Sequence, residues 1–306
     1  MSKSSSPGEE HIDQLFSWFL ILAAVIMTVV IVSVLIGAIK YRSGKIQGEP
    51  KQITGNNWIE VIWTSIPLLI LVFFFYFTVK DMSVLAVPLN PARHPDINIT
   101  AHQWWWELQY PEYNFTTANE LHVPILDKLL AEIGSADVIH DWWVPALGPK
   151  VDAIPGRSNY LWIDATKPGE YHGSCSEYCG TQHSGMRILV IASTNTEFEQ
   201  WVKDQQKIPP VPTDSLGLAG YRLFQERTCS DCHSIAGTNA KAHIGPDLTH
   251  VAGRQTLASG VVINTPENMY KWVKNPQALK KGVHMPDFQL PNNEVKALVK
   301  YLEELK

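Results

Sequence analysis

Two long apolar runs dominate the first quarter of the chain. Residues 15–39 carry no charge, and residues 58–79 carry a single acid, Glu60, near their start. About 20 apolar residues match the hydrocarbon thickness of a bilayer, so each run predicts a membrane-spanning helix and the two predict a hairpin. From about residue 81 the pattern changes. Short apolar stretches such as Ile97-Asn-Ile-Thr-Ala, Tyr160-Leu-Trp-Ile-Asp and Arg187-Ile-Leu-Val-Ile-Ala are broken by Pro, Gly and Asn, which predicts the strands of a sandwich or barrel. Residues 204–215, with Ile-Pro-Pro-Val-Pro at their centre, read as a semi-rigid linker. Helical periodicity follows, at 218–224, 266–274 and 293–306, the last with Val295, Leu298, Val299 and Leu302 on one face. The predicted organisation is a tail over 1–14 (with 1–10 disordered), a hairpin over 15–80, a β domain over 81–203, a linker over 204–215 and an all-α domain over 216–306.

Composition adds limits. A chain of 306 residues with a net charge of −5 has room for two modest domains beside the membrane segment and carries no basic patch for nucleic acid. The leader is polar and acidic, without the basic start and short apolar core of a signal peptide, so both helices read as retained. Lys40, Arg42, Lys45 and Lys51 crowd the connection between the runs, against Glu49, whereas the leader has only Lys3. The positive-inside rule then puts the connection in the cytoplasm and both termini outside.

Candidate chemistry is concentrated in two short runs. The first, Gly-Ser-Cys-Ser-Glu-Tyr-Cys-Gly-Thr-Gln-His-Ser-Gly-Met, holds Cys175, Glu177, Cys179, His183 and Met186 on one loop. Two thiolates, an imidazole and a thioether form a soft-to-borderline set that suits copper. His140 is the best candidate for a further ligand from elsewhere. Two thiolates can bridge two copper ions, each then taking one histidine, with Met186 and a backbone carbonyl filling the remaining positions. A disulfide between Cys175 and Cys179, or a zinc site, fits the spacing too, although Met186 argues against zinc.

The second run, Cys229-Ser-Asp-Cys232-His233, is a c-type haem attachment sequence. The cysteines would form thioethers and His233 would be an axial ligand. Met285, followed by Pro286 about fifty residues on, is the leading candidate for the opposite axial position, ahead of Met269, His243, His250 and His284. Together the two runs use all four cysteines, so no disulfide is expected even on the oxidising side of a membrane.

Residues 137–157, the Cys175–His183 run and His102-Gln-Trp-Trp-Trp resemble subunit II of cytochrome c oxidase, a likeness covering roughly 11–203. Residues 216–306 resemble a class I cytochrome c domain, with Ile244-Gly-Pro-Asp-Leu as the loop covering the haem on its histidine side. A subunit II joined to such a domain is the layout of the caa-type haem-copper oxidases. The resemblance implies a cupredoxin β-barrel or sandwich carrying dinuclear copper, CuA. It implies bridging by Cys175 and Cys179, completion by His140, His183, Met186 and the Glu177 carbonyl, and a magnesium ion on the Glu177 carboxylate at the boundary with subunit I. It also implies covalent haem c, subunits I and III as partners, cytochrome c or another respiratory complex as donor, and a two-pass place in the lipid of a bacterial inner (plasma) membrane with the redox domains on the periplasmic side.

Two further residues take roles from the resemblance. Trp104 to Trp106 read by themselves as core or as an interfacial aromatic belt. In the family the first tryptophan lies at the surface above CuA and receives electrons, a role carried to Trp104, while Trp105 stands where a tyrosine is usual. Asn57-x-x-Glu60 reads by itself as a helix cap with an acid suited to the helix dipole. In the family this glutamate stands at the cytoplasmic entrance of a proton pathway. Residues 125–134 have a Leu/Lys/Ala/Glu character, yet the resemblance implies a strand there. The function expected is electron transfer from haem c through CuA to subunit I, where oxygen is reduced to water and protons are pumped. The corresponding subunit of a CuA-containing nitric oxide reductase, and a membrane-anchored copper-delivery protein, are the alternatives.

Overall fold

A computed structural model describes residues 4–42, 55–87 and 91–306. The chain forms two compact units, one of residues 10–86 and one of residues 1–9 with 87–306. The basic residues Lys45 and Lys51 of the connection, Glu49, and Lys3 of the leader lie outside the described residues.

Helices α1 (Pro7–Lys40), from residue 10 on, and α2 (Asn57–Leu85) make up the first unit. At 1.5 Å per residue they run about 50 and about 40 Å, enough to cross a hydrocarbon core of about 30 Å. Trp18 packs on Phe73 and Phe77, and His11 near the start of α1 meets Asp81 near the end of α2 at 3.0 Å, so the two helices run antiparallel as a hairpin. The start of α1 departs from expectation. It begins at Pro7, inside the stretch read as disordered tail, because Pro7 occupies the first helical position and the Ser6 hydroxyl accepts from the Glu9 N–H. The cap of α2 departs too. Asn56, one residue earlier than expected, accepts from the N–H groups of Trp58 and Ile59, and Glu60 sits in the first turn without a capping box.

The second unit starts with a two-sheet β-sandwich, the fold expected of a cupredoxin domain. One sheet contains β1 (Ile97–His102), β2 (Trp105–Tyr110), β3 (Phe115–Ala118), β5 (Leu129–Ser135) and β8 (Asn159–Ile163), in the order β3-β2-β1-β5-β8. The other contains β4 (Glu120–Pro124), β6 (His140–Trp143), β7 (Val151–Ala153), β9 (Gly169–Cys175) and β10 (Arg187–Ser193), in the order β4-β10-β9-β6-β7. Strand β1 shows the driving pattern: Ile97, Ile99 and Ala101 face the core while Asn98, Thr100 and His102 face away. Trp106 and Trp142 meet edge to face in the core at 5.0 Å. Of the strand implied by resemblance over 125–134, the part from Leu129 on is β5, held between β1 and β8 despite its Leu/Glu composition, and residues 125–128 are a turn and loop before it. Pairing on both edges outweighs local propensity there.

One helix in this region was not expected. Helix α3 (Asn195–Gln205) starts at a capping box in which Thr194 and Glu197 satisfy each other's backbone. Thr-x-x-Glu before Phe198, Trp201 and Val202 is a helix-start signal that was readable in the sequence. Its buried face closes the sandwich against Tyr110 and Phe115.

The last part of the unit is helical. It holds α4 (Ser215–Glu226), a two-stranded ribbon of β11 (Thr256–Leu257) and β12 (Val262–Ile263), then α5 (Pro266–Lys274), α6 (Pro276–Leu279) and α7 (Asn292–Leu302). Asp214 caps α4 by accepting from Leu216 and Gly217. Helices α4 and α7 cross at Gly220, where a Cβ would stand 2.0 Å from the Ala297 carbonyl oxygen, so only glycine permits the approach. Val295, Leu298, Val299 and Leu302 of α7 are buried in this core.

Candidate redox centres

The metal-ligating side chains converge where β6 and β9 pair. Trp142 lies opposite Cys175 across that pair, which brings His140 at the start of β6 beside the cysteine ending β9. The loop beyond Cys175 closes through a single 3-10 turn, His183–Gly185, and returns Met186 to the same point. The two thiol sulfurs stand 3.7 Å apart. A disulfide needs about 2.05 Å, and all four cysteines are free. Cys175 Sγ is 3.9 Å from His140 Nδ1 and 3.2 Å from the Glu177 carbonyl oxygen. Cys179 Sγ is 3.7 Å from His183 Nδ1 and 4.0 Å from Met186 Sδ. The donors therefore divide into two halves, each with one thiol, one imidazole and one weaker ligand. His140, Cys175, Cys179 and Met186 are buried, and His183 is half-buried.

The electrostatics favour a metal over a pair of neutral thiols. The hydrogen bond with Cys179, opposed by burial and reinforced by His140, pushes Cys175 down to about 3. Cys179 is driven upward, first by Cys175 and then by burial. One thiolate is thus readily formed, and the second requires a positive charge close by. Asp137, a residue that sequence reasoning passed over, accepts from His140 Nε2 at 2.8 Å and leaves Nδ1 aimed at Cys175. Its position three residues before His140 was the available signal. Burial opposes the Asp137 carboxylate, but hydrogen bonds from His140 and two backbone amides keep its pKa below the ordinary value.

The second centre is an apolar cavity in the helical part. Cys229, Cys232, His233 and Met285 all line it. His233 Nδ1 donates to the Pro246 carbonyl at 2.7 Å, which leaves Nε2 as the free ligating atom. A Cβ at Gly245 would stand 2.6 Å from the His233 ring, so glycine is needed for this close packing. The shape, the free thiols and the oriented imidazole fit a covalently held haem. Among the other axial candidates, His250 is turned away and bonded to the Gln205 carbonyl, whereas Met269 and His284 also line the cavity.

Trp104 joins the two centres. Its indole Nε1 donates to the Cys179 carbonyl at 2.9 Å, and its ring lies 5.0 Å from that of His284, beside Met285. Gly180, at φ +113°, gives the indole room: a Cβ there would approach the ring to 3.1 Å. The surface position expected for Trp104 is not found. It is only 6% exposed, because the helical part covers it. Trp105 stacks on His102 at 4.3 Å. Glu177 is exposed, and Glu60 lies far along the chain in the first turn of α2.

A membrane-type hairpin, a sandwich with a thiol–imidazole cluster and a helical domain with a haem-type cavity define a membrane-anchored electron-transfer chain. Residues 1–80 match the family model described as the transmembrane domain of cytochrome c oxidase subunit II, 114–193 its periplasmic domain, and 218–306 cytochrome c. The chain is 34% identical to cytochrome c oxidase subunit 2 of Alkalihalophilus pseudofirmus over 94% of its own length and 86% of the relative's. It is 32% identical to that of a Bacillus species over 87% and 79%. It is 35% identical to the crystallised periplasmic domain of subunit II from Bradyrhizobium japonicum, which covers 38% of this chain and 96% of that one, with a TM-score of 0.36. The chain belongs to the cytochrome c oxidase subunit II family and carries a cytochrome c domain after the sandwich. It is therefore a membrane-anchored subunit of an oxidoreductase complex that includes subunit I.

Proposed function

We propose that the chain delivers electrons to the oxygen-reducing, proton-pumping subunit I of a respiratory oxidase, drawing them from a cytochrome c or another respiratory complex. Cys229, Cys232, His233 and Met285 would hold haem c. Cys175, Cys179, His140, His183, Met186 and the Glu177 carbonyl would hold a dinuclear CuA centre. Both groups would supply reversible one-electron chemistry, with no open position for substrate. The observation that carries the reading is the division of the donor set into two matched halves around a 3.7 Å pair of sulfurs. A lone zinc or copper ion has no use for both halves. Copper delivery leaves the haem-type cavity without a purpose.

The residues divide the work. Asp137 keeps His140 in the ligating tautomer, Pro246 does so for His233, and the sandwich core excludes water from Cys175 and Met186. Trp104 is assigned the point at which electrons reach the copper loop, and the Glu177 carboxylate is assigned a magnesium ion facing subunit I. The proposed setting is a bacterial plasma membrane, with both redox domains on the periplasmic side and subunit III as a further partner. The proposed organisation keeps the linker between the copper and haem domains but shortens it to 206–214, because Asp204 and Gln205 end α3 and Ser215 opens α4.

Electron paramagnetic resonance of the oxidised complex, with copper and haem quantified on the same sample, tests this. Two coppers per haem c in this chain, beyond those of subunit I, and hyperfine structure from one electron shared over two nuclei are expected. A mononuclear signal would overturn the CuA assignment. Consumption of nitric oxide in place of oxygen by the complex would overturn the oxidase assignment.

Glu60 is proposed as the cytoplasmic entrance of a proton pathway, on the strength of its place in the first turn of α2 next to the connection. Glu60→Ala is expected to slow oxygen turnover several-fold while copper and haem content stay at wild-type levels. Unchanged turnover would remove the role.

A further inference from the structure

Lys280 is the least expected buried group in the second unit. It follows α6, and it is only 2% exposed. Lysine is rarely buried without a partner, because removing its charge from water is costly. Here Nζ donates to three carbonyl oxygens: Trp104 at 2.8 Å, Gly185 at 2.8 Å and Ala258 at 2.9 Å. Three acceptors match the three protons of an ammonium group. Burial pushes its pKa down to about 7, with the nearby Cys179 opposing that shift. Two of the three carbonyls belong to the sandwich, on the segments that carry Trp104 and Met186. Lys280 itself stands four residues before His284, whose ring packs on Trp104.

A second buried charge works in the opposite direction across the same boundary. The Glu120 carboxylate of β4, 3% exposed, accepts from the N–H groups of Gln255 and Thr256 at 2.9 and 2.7 Å and from the Thr256 hydroxyl at 2.8 Å. One backbone bond and one side-chain bond lie between the two anchors. Arg187 N–H donates to the Ser259 carbonyl at 3.1 Å, and Gln182 Nε2 donates to the Lys281 carbonyl at 2.6 Å.

We propose that Lys280 is a positioning residue which, with Glu120, clamps the haem domain onto the copper domain and holds the His284–Met285 loop against Trp104. The haem domain is then a permanently docked donor rather than one that swings on the linker between α3 and α4. Each anchor pairs a charged side chain of one domain with two backbone groups of the other, Trp104 and Gly185 for Lys280 and Gln255 and Thr256 for Glu120. Backbone groups cannot turn away to find other partners, so the register of the two domains is fixed at both points. This inference rests on the electron-transfer reading above and deepens it.

The test uses the full chain in its purified complex. In the wild type, the amides of Arg187, Gln255 and Thr256 are expected to exchange hydrogen as slowly as the domain cores. Fast exchange at all three would overturn the clamp whatever any variant does. In Lys280→Met, haem and copper content are expected to stay at wild-type levels, because no ligand of either centre is changed. Exchange at Arg187 should rise about 10- to 100-fold, as expected for losing hydrogen bonds to a charged group. Transfer of one electron from ferrous haem c to oxidised CuA should slow about 10-fold or more, as misplacement of reacting partners predicts. Unchanged exchange and transfer in a folded Lys280→Met would overturn the proposal while leaving the electron-transfer reading intact. Absence of copper or haem in the wild type would instead defeat that reading.

Discussion

Cys175→Ser is expected to remove the copper of this chain and cut electron flow to oxygen at least about 100-fold, a floor taken from the 10- to 100-fold cost of changing groups that only support a ligand. Cys175 shares one ionisation with Cys179, and the hydrogen bonds with Cys179 and His140 hold the Cys175 thiol down against the effect of burial. A serine hydroxyl does not ionise in this range and is a hard donor, so the donor set loses one of its two soft thiolates. The swap changes volume little, and the β6–β9 pairing that aligns residues 140 and 175 is made by backbone groups. The sandwich is therefore expected to fold and haem c to remain reducible. Copper analysis beside the haem c absorption spectrum and oxygen uptake checks this. Two coppers retained in the variant would remove Cys175 from the site.

The second large effect is expected from replacing both Cys229 and Cys232 with alanine. Covalently bound haem should be lost completely, since both thioether positions are gone. The consequence reaches further than the cofactor. The cavity is walled by core side chains of α4, α5 and α7, among them Phe224, Met269 and Leu298. Emptied of its haem, it would expose much of that apolar wall to water, and a ligand bound only by the folded state no longer contributes to stability. Residues 216–306 should become protease-sensitive, while the copper site, which draws its ligands only from the sandwich, keeps two coppers. A haem stain after denaturing electrophoresis, limited proteolysis and copper analysis measure the three outcomes together. Retention of haem through both substitutions would defeat the attachment assignment, and loss of copper would show that the two centres depend on each other.

Much of this molecule was readable from local pattern. The apolar runs at 15–39 and 58–79 became the cores of α1 and α2, and the short apolar stretches at 97–101 and 187–192 became strands. These elements depend on neighbours a few residues apart, so a short window suffices. The start of α1 at Pro7 and the whole of α3 were equally local. Ser6-Pro7 and Thr194-x-x-Glu197 are cap signals that went unused.

The candidate site divides in the same way. The order of Cys175, Glu177, Cys179, His183 and Met186 in one loop, and of Cys229, Cys232 and His233 in another, determined which chemistry the chain can support, because soft donors and haem-attaching thiols are legible as residue types at fixed spacings. That His140 faces Cys175 was settled by the pairing of two strands 35 residues apart along the chain. That Trp104 is buried under His284, and that Lys280 reaches its carbonyl across 176 residues, was decided only by the packing of the helical part on the sandwich. Local sequence determines which groups a segment offers. The partners those groups find across the fold depend on burial and on backbone acceptors that have no signature in the sequence.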